Sequence, residues 1–121
     1  MAKKKILIID DEVKLLKLVS VLLSKLDLEV DTASDGQEGL EKVLKGQYDL
    51  IICDINMPKM DGIEVIKEAR EKGSRDDFVF FTGHGNEELM MSSLKYGARG
   101  FIDKPHFSNL KDTVIEVLGL S

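Results

Sequence analysis

Cysteine, basic excess and long apolar runs are what this sequence of 121 residues has little of. Its one cysteine, Cys53, leaves no intrachain disulfide to form. Neither an apolar N-terminal signal nor an apolar run of membrane length is present, so a cytoplasmic chain with no membrane contact is expected. Acidic side chains outnumber basic ones 22 to 17, and the net charge of −5 tells against a general nucleic-acid binder. No linker, repeat or low-complexity segment interrupts the chain, so residues 1–121 read as one domain with no output domain attached.

What is there is enough for a core. Hydrophobic residues make up 43% of the chain and are spread along it, which excludes a disordered protein. A domain of this size buries roughly two thirds of its unfolded surface. The start, Met1-Ala2-Lys3-Lys4-Lys5, is a solvated lead-in to a strand.

Two patterns alternate from end to end. Ile6-Leu7-Ile8-Ile9, Leu50-Ile51-Ile52-Cys53 and Phe78-Val79-Phe80-Phe81 are short continuous apolar runs, as strands covered on both faces require. Leu28 to Ala33 alternates and Gly100-Phe101-Ile102 is very short, which suits strands at the two sheet edges. Between the runs, Glu12 to Leu26 places Leu15, Val19, Leu22, Leu23 and Leu26 on one helical face, with Leu18 at its margin and Val21 well off it. Ser34 and Gln37 predict a capping box for a second helix ending near Gly46. Asp61, Gly62 and Glu64 start a third that runs to about Lys72. Asn86 to Tyr96, closed by Gly97, is a fourth; Ser108 to Leu118, closed by Gly119, is a fifth. Five strand–helix units in a row imply an α/β domain, a doubly wound five-stranded parallel sheet with helices on both faces. Ligands of such sheets sit at the carboxyl ends of the strands.

Those ends are polar. The first strand runs into Asp10-Asp11-Glu12, the third into Asp54, the fourth into Thr82 and the fifth into Lys104-Pro105. Packed carboxylates repel one another unless a cation fills the gap, and oxygen ligands without a His or Cys cluster suit a hard ion, Mg2+ above all. A carboxylate nucleophile, Mg2+, a Lys and a hydroxyl suffice to form an acyl phosphate on Asp54. Taken alone, Asp10 or Asp11 serves equally well as a cap for the first helix, and a lone Thr or Lys at a strand end is ordinary loop chemistry. Asp54 is harder to read that way, because it follows a four-residue apolar run and precedes Ile55, at the rim of the core.

Over nearly its whole length the sequence resembles the receiver domains of two-component response regulators, the chemotaxis regulators among them. The resemblance is carried by Ile8-Ile9-Asp10-Asp11-Glu12, by Asp54-Ile55-Asn56-Met57-Pro58-Lys59-Met60-Asp61-Gly62, by Phe81-Thr82-Gly83, and by Gly97-Ala98 leading to Phe101-Ile102-Asp103-Lys104-Pro105. It implies a flavodoxin-like (βα)5 fold with strand order 2-1-3-4-5. It further implies a phosphoryl group received on Asp54 from a histidine kinase or phosphotransfer protein. Asp10, Asp11, Asp54 and the backbone carbonyl of Asn56 would hold Mg2+, directly or through water. Lys104, joined to Pro105 by a cis bond, would bind a phosphoryl oxygen, and Thr82 and Phe101 would form the switch. Such a domain catalyses its own phosphorylation and dephosphorylation and is not a metabolic enzyme. The five-residue set is complete, which argues against a degenerate receiver.

Departures lie at the rim. Gly83 stands where Ala is commoner, and His84 sits in a Gly-His-Gly turn. His84 reads either as a solvated loop residue or, with Asn56, as a flank that tunes phosphoryl turnover. Leu89, Met90, Met91 and Leu94 span too wide an arc for all to face the sheet, so at least one is expected to be exposed. The surface of the fourth helix, fifth strand and fifth helix is then the expected contact for a downstream protein target or a weak phosphorylation-dependent dimer, against a monomer with a loosely packed helix. Leu15 and Leu18 read as core edge or as docking contacts for the phosphodonor. Cys53 reads as a small apolar core residue. The alternatives are a receiver cut from a longer regulator or hybrid kinase, a phosphate-binding module without turnover, and a haloacid-dehalogenase-type hydrolase. The last lacks its second Asp, because Asn56 stands two residues after Asp54.

Overall fold

The three continuous apolar runs form the three inner strands. A computed structural model describes residues 3–83, 85–104 and 106–120, in which strands and helices alternate without exception. The strands are β1 (Lys5–Ile9), β2 (Glu29–Ala33), β3 (Leu50–Cys53), β4 (Phe78–Thr82) and β5 (Gly100–Asp103). The helices are α1 (Val13–Ser24), α2 (Gly36–Lys45), α3 (Gly62–Glu71), α4 (Glu87–Lys95) and α5 (Phe107–Leu118). The strands make one parallel sheet in the order β2-β1-β3-β4-β5, the expected flavodoxin-like order.

Alternation along each inner strand feeds two cores. Leu7, Ile9, Ile51, Cys53, Phe78 and Phe80 pack with Leu40 and Val43 of α2 and Val65 and Ile66 of α3. Ile6, Ile8, Leu50, Ile52, Val79 and Phe81 pack with Leu16, Val19 and Leu23 of α1 and Leu110 and Val114 of α5. Each fully buried Leu, Ile or Phe is worth about 2 kcal/mol of transfer free energy, so neither face of an inner strand tolerates a polar residue, and the runs are unbroken for that reason.

Local details differ from the sequence expectations. α1 is shorter than Glu12 to Leu26, and the face it buries is Leu16, Val19 and Leu23, with Leu15 and Leu26 half-buried against the same core. Leu18 and Val21 are exposed. Leu28 precedes β2 rather than belonging to it, although it is buried. The cap of α2 is one residue later than Ser34–Gln37: Asp35 accepts the Glu38 N–H at 2.7 Å, while Glu38 accepts the Ser34 N–H at 2.8 Å. The cap is therefore Asp35, and Glu38 reaches past it to the residue before, so the two bonds do not close a reciprocal box on one residue. Asp61 and Asn86 cap α3 and α4 as expected, through the Glu64 and Leu89 N–H groups. α5 begins at Phe107 rather than Ser108.

At the end of the sheet away from the carboxyl termini, the buried Tyr48 donates its hydroxyl to Asp31 Oδ2 at 3.0 Å. Burial first, then the bond to Asp31 and the negative charges of Asp31, Asp76 and Glu29, push the phenol up to about 12 from 10.0. A raised phenol means that the folded chain holds its proton more tightly than the unfolded one. This contribution is therefore intact below pH 10 and is lost as the pH rises toward 12. Stability of the wild-type protein is expected to fall by about 2 kcal/mol more than that of Tyr48→Phe across this window, measured by denaturant titration at stepped pH.

Candidate functional site

Sheet register brings the polar strand ends together. Ile9 pairs with Cys53, so Asp10 and Asp54 leave the sheet side by side. Cys53 pairs with Phe80 and Thr82 with Asp103, so Thr82 and Lys104 follow one step further out on β4 and after β5. Backbone bonds fix the exits: Asp54 N–H donates to Ile9 O at 2.9 Å, Asp10 N–H to Ala33 O at 3.1 Å, and Lys104 N–H to Thr82 O at 2.9 Å.

Asp10 and Asp54 are 3% and 5% exposed, and carboxylates so buried need partners. Lys104 supplies one. Its Nζ donates to Asp10 Oδ2 at 2.8 Å, to Asp54 Oδ2 at 3.2 Å and to the exposed Glu12 Oε1 at 3.3 Å. It also sits 5.9 Å from the centre of the Phe81 ring. The other oxygen of each buried carboxylate takes a backbone donor: Ile55 N–H to Asp54 Oδ1 at 2.8 Å, and Glu12 N–H to Asp10 Oδ1 at 2.9 Å. Neither Asp10 nor Asp11 caps α1, whose first residue follows Glu12 without a side-chain cap.

Electrostatically the site is under-compensated. One ammonium faces three carboxylates, leaving two negative charges in excess. Burial raises the Asp10 carboxyl above its ordinary range, and the Lys104 and Glu12 N–H bonds offset this only in part. Burial would lower Lys104, but its bonds to Asp10 and Asp54 outweigh that and raise it. Oxygens of Asp10, Glu12 and Asp54 lie within 4.8 Å of one another, the one such acidic group among the described residues. An all-carboxylate set with a surplus of two charges fits a hard divalent cation such as Mg2+.

Of the other predicted residues, Thr82 is fully buried at the end of β4. Phe101 is half-buried, its ring 6.5 Å from that of Phe80. Asp11 and Asn56 are exposed, and Asp11 is not part of the acidic group, where Glu12 stands instead. His84 and Pro105, with the expected cis bond, lie outside the described residues. Cys53 is buried, and burial, then the charges of Asp54, Asp10 and Asp61, raise its thiol well above the ordinary value, as an inert core residue requires. In α4, Met90, Met91 and Leu94 are exposed while Leu89 is half-buried. Among the described residues, no helix is long and apolar enough to cross a membrane.

Two glycines at the site carry more than the sequence showed. Gly62, read as a helix start and as the end of the motif that begins at Asp54, approaches the Asp54 carbonyl so closely that a Cβ would collide with it. Gly85 lies against Phe101. The Asp61-Gly62 pair, a cap followed by a residue without a side chain, was the available signal for the first.

Comparison with known proteins agrees with this geometry. The family model of the response regulator receiver domain matches residues 6–115. The transcriptional regulatory protein DltR of Streptococcus agalactiae is 36% identical over 101 residues, 84% of this chain and 45% of that protein. The chain thus spans less than half the length of that relative. Chemotaxis protein CheY4 of Vibrio cholerae superposes with a TM-score of 0.87 at 34% identity, covering 97% of this chain and all of that one. Response regulator TrrA of Thermotoga maritima, solved in complex with Mg2+ and BeF, gives 0.85 at 35% identity over 95% of this chain and 99% of its own.

Proposed function

The chain belongs to the response regulator receiver domains, phosphoacceptors of two-component systems, and on that premise we propose that Asp54 is the residue that carries the phosphoryl group. One observation carries this reading: Lys104 Nζ bridges the buried Asp54 and Asp10 carboxylates at a point where three strand ends converge. Asp54 Oδ2 attacks the phosphorus of a phosphohistidine protein, the N–P bond breaks, and the departing imidazole takes up a proton from water. The acyl phosphate stays on Asp54 until water attacks it. Lys104 exchanges a carboxylate oxygen for a phosphoryl oxygen, a transfer its three rotatable donors permit.

Asp10, Asp11, Asp54 and the Asn56 carbonyl would hold Mg2+, which would supply the positive charge that the carboxylates lack. Glu12, with a carboxylate oxygen within 4.8 Å of those of Asp10 and Asp54, would be able to join them. The complex of TrrA with Mg2+ and BeF supports the assignment. Thr82 and Phe101 form the two-state element that the new charge biases. The signal leaves through the surface of α4, β5 and α5, where Met90, Met91 and Leu94 offer adaptable apolar contacts to a downstream protein. Leu18 on α1 is the exposed apolar contact for the donor, and His84 with Asn56 tunes the lifetime of the phosphate.

Incubation with Mg2+ and acetyl phosphate, followed by intact-mass measurement, is expected to show one added phosphate on the wild type and none on Asp54→Asn. Modification that persists in Asp54→Asn, or none in the wild type, overturns the assignment.

A further inference from the structure

β2 is the outermost strand on its side of the sheet and pairs only with β1. Glu29 N–H donates to Lys4 O and Asp10 N–H to Ala33 O, so the backbone groups of Glu29, Asp31 and Ala33 face β1 and those of Val30 and Thr32 face outward. An outward row of this kind is a template for another strand. One of its groups is covered: Lys42 Nζ reaches over from α2 and donates to Thr32 O. The same lysine pairs with Glu38 at 3.6 Å, a solvated contact that holds it loosely.

Beside this edge, on the α1 face, lies a cleft of about 480 Å3 lined by Val13, Leu16, Lys17, Ser20, Val21 and Thr32. Val13 and Val21 are more than half exposed, so its walls are apolar and open. Ser20 Oγ is shielded from water and has no hydrogen-bond partner among the described residues, a polar group that an occupant can satisfy. The charge of this wall is one-sided. α1 contains Lys14 and Lys17 and no acidic residue, and Lys17 forms no ion pair among the described residues. In a chain of net charge −5, the edge and the cleft thus present ammonium groups that are unpaired or loosely held.

We propose that the outer edge of β2 and the cleft beside it dock an extended segment of a partner protein in which apolar side chains alternate with carboxylates. Strand addition supplies the affinity: partner N–H and C=O groups pair with Val30 and Thr32, and the N–H that takes Thr32 O displaces Lys42. A partner residue opposite Thr32 shares its face and enters the cleft against Val13 and Val21. The next one points to the α2 face, where the released Lys42 ammonium meets a carboxylate. Lys17, on the rim of the cleft, steers the same acidic segment in. A second copy of this chain does not fit the edge. Two β2 strands related by a two-fold axis run antiparallel, and pairing Val30 of one copy with Thr32 of the other sets Asp31 against Asp31. None of these residues belongs to the Asp54 site, so the proposal goes beyond the phosphoacceptor reading and stands without it.

The probe is a terminally blocked six-residue peptide of alternating valine and glutamate, with lysine in place of glutamate as its control, and the amide resonances of the full chain are the readout. The glutamate peptide is expected to shift the Val30 and Thr32 amides with a Kd of roughly 1 mM and to slow their hydrogen exchange, the control binding about tenfold more weakly. Lys42→Gln should reduce that preference to about twofold. Val21→Asp, at an exposed position, should weaken binding of the glutamate peptide about tenfold, because it removes an apolar wall and repels the carboxylates. The same spectra report that each variant is folded. Equal binding of the two peptides, unchanged binding to Val21→Asp, or no shift at β2 with the peptide at about 10 mM overturns the proposal. Concentration-dependent protection of Val30 and Thr32 without peptide overturns it as well, in favour of a second copy of this chain.

Discussion

Lys104→Met is expected to cost about 3 kcal/mol of folding stability at pH 7 without divalent cation, and to slow phosphoryl uptake on Asp54 by more than tenfold. The lysine side chain is 12% exposed, and the two carboxylates it bridges are more buried still. Methionine keeps the apolar stem and removes the ammonium, leaving two like charges facing each other away from water. The contact with Glu12, which is mostly solvated, adds little to the loss. Lys104 is raised in the folded wild type, so its contribution is complete below about pH 10.5 and fades only above it; it is fully present at pH 7. In the variant the Asp10 carboxyl, already raised by burial, loses the ammonium that offset this and rises further. Its deficit is therefore largest at neutral pH and shrinks as acid protonates Asp10, or as Mg2+ is added. Urea titrations of both proteins at pH 5 and pH 7, with and without Mg2+, read all of these signs. Equal stability at pH 7 without cation would mean that the ammonium does not compensate the pair.

Most of the sheet was legible because burial on two faces leaves one kind of sequence. β1, β3 and β4 were continuous apolar runs, and their register carried Asp10, Asp54, Thr82 and Lys104 to one edge. α1 was less legible. Apolar residues occupy eight of its 12 positions, so its periodicity admits several faces, and packing on the sheet selects Leu16 in place of Leu15 or Leu22 as a core residue. The cap of α2 shifted by one residue for a related reason, since Ser34, Asp35, Gln37 and Glu38 offer two overlapping boxes, and the folded chain caps with Asp35 while Glu38 reaches back to Ser34.

The site shows the same division between pattern and geometry. Which residue types converge was readable; which oxygen faces which was not. Asp11 and Glu12 both follow β1, and only the path of the chain into α1 turns Glu12 toward Lys104 and leaves Asp11 in solvent. The fourth helix was expected to expose at least one large apolar residue. It exposes three, because the small Ser93 occupies its core-facing position.

Gly62→Ala is expected to cost about 3 kcal/mol or more, the range for overpacking against rigid neighbours, and to impair the site beyond its effect on folding. Gly62 opens α3 directly under the end of β3, where its N–H donates to Ile55 O at 2.9 Å. A Cβ there would meet the Asp54 carbonyl and lie 3.0 Å from both Asp54 C and Ile55 Cα. All three are backbone atoms, so no side chain can turn aside; either the helix or the strand end must move. α3 is held by Val65, Ile66 and Ala69 in the core and by the Asp61 cap, whereas residues 54–61 belong to neither strand nor helix. The displacement should therefore fall on Asp54, whose Oδ1 depends on the Ile55 N–H and whose Oδ2 depends on Lys104. A shift of well under 1 Å at the Asp54 carboxylate, the proposed acceptor, is enough to lower the uptake rate by more than tenfold. Uptake from acetyl phosphate, measured at a temperature where the variant is folded, separates this effect from loss of folded protein. A folded variant that accepts phosphate at the wild-type rate would show that the strand end yields without moving the carboxylate, and that Gly62 serves packing alone.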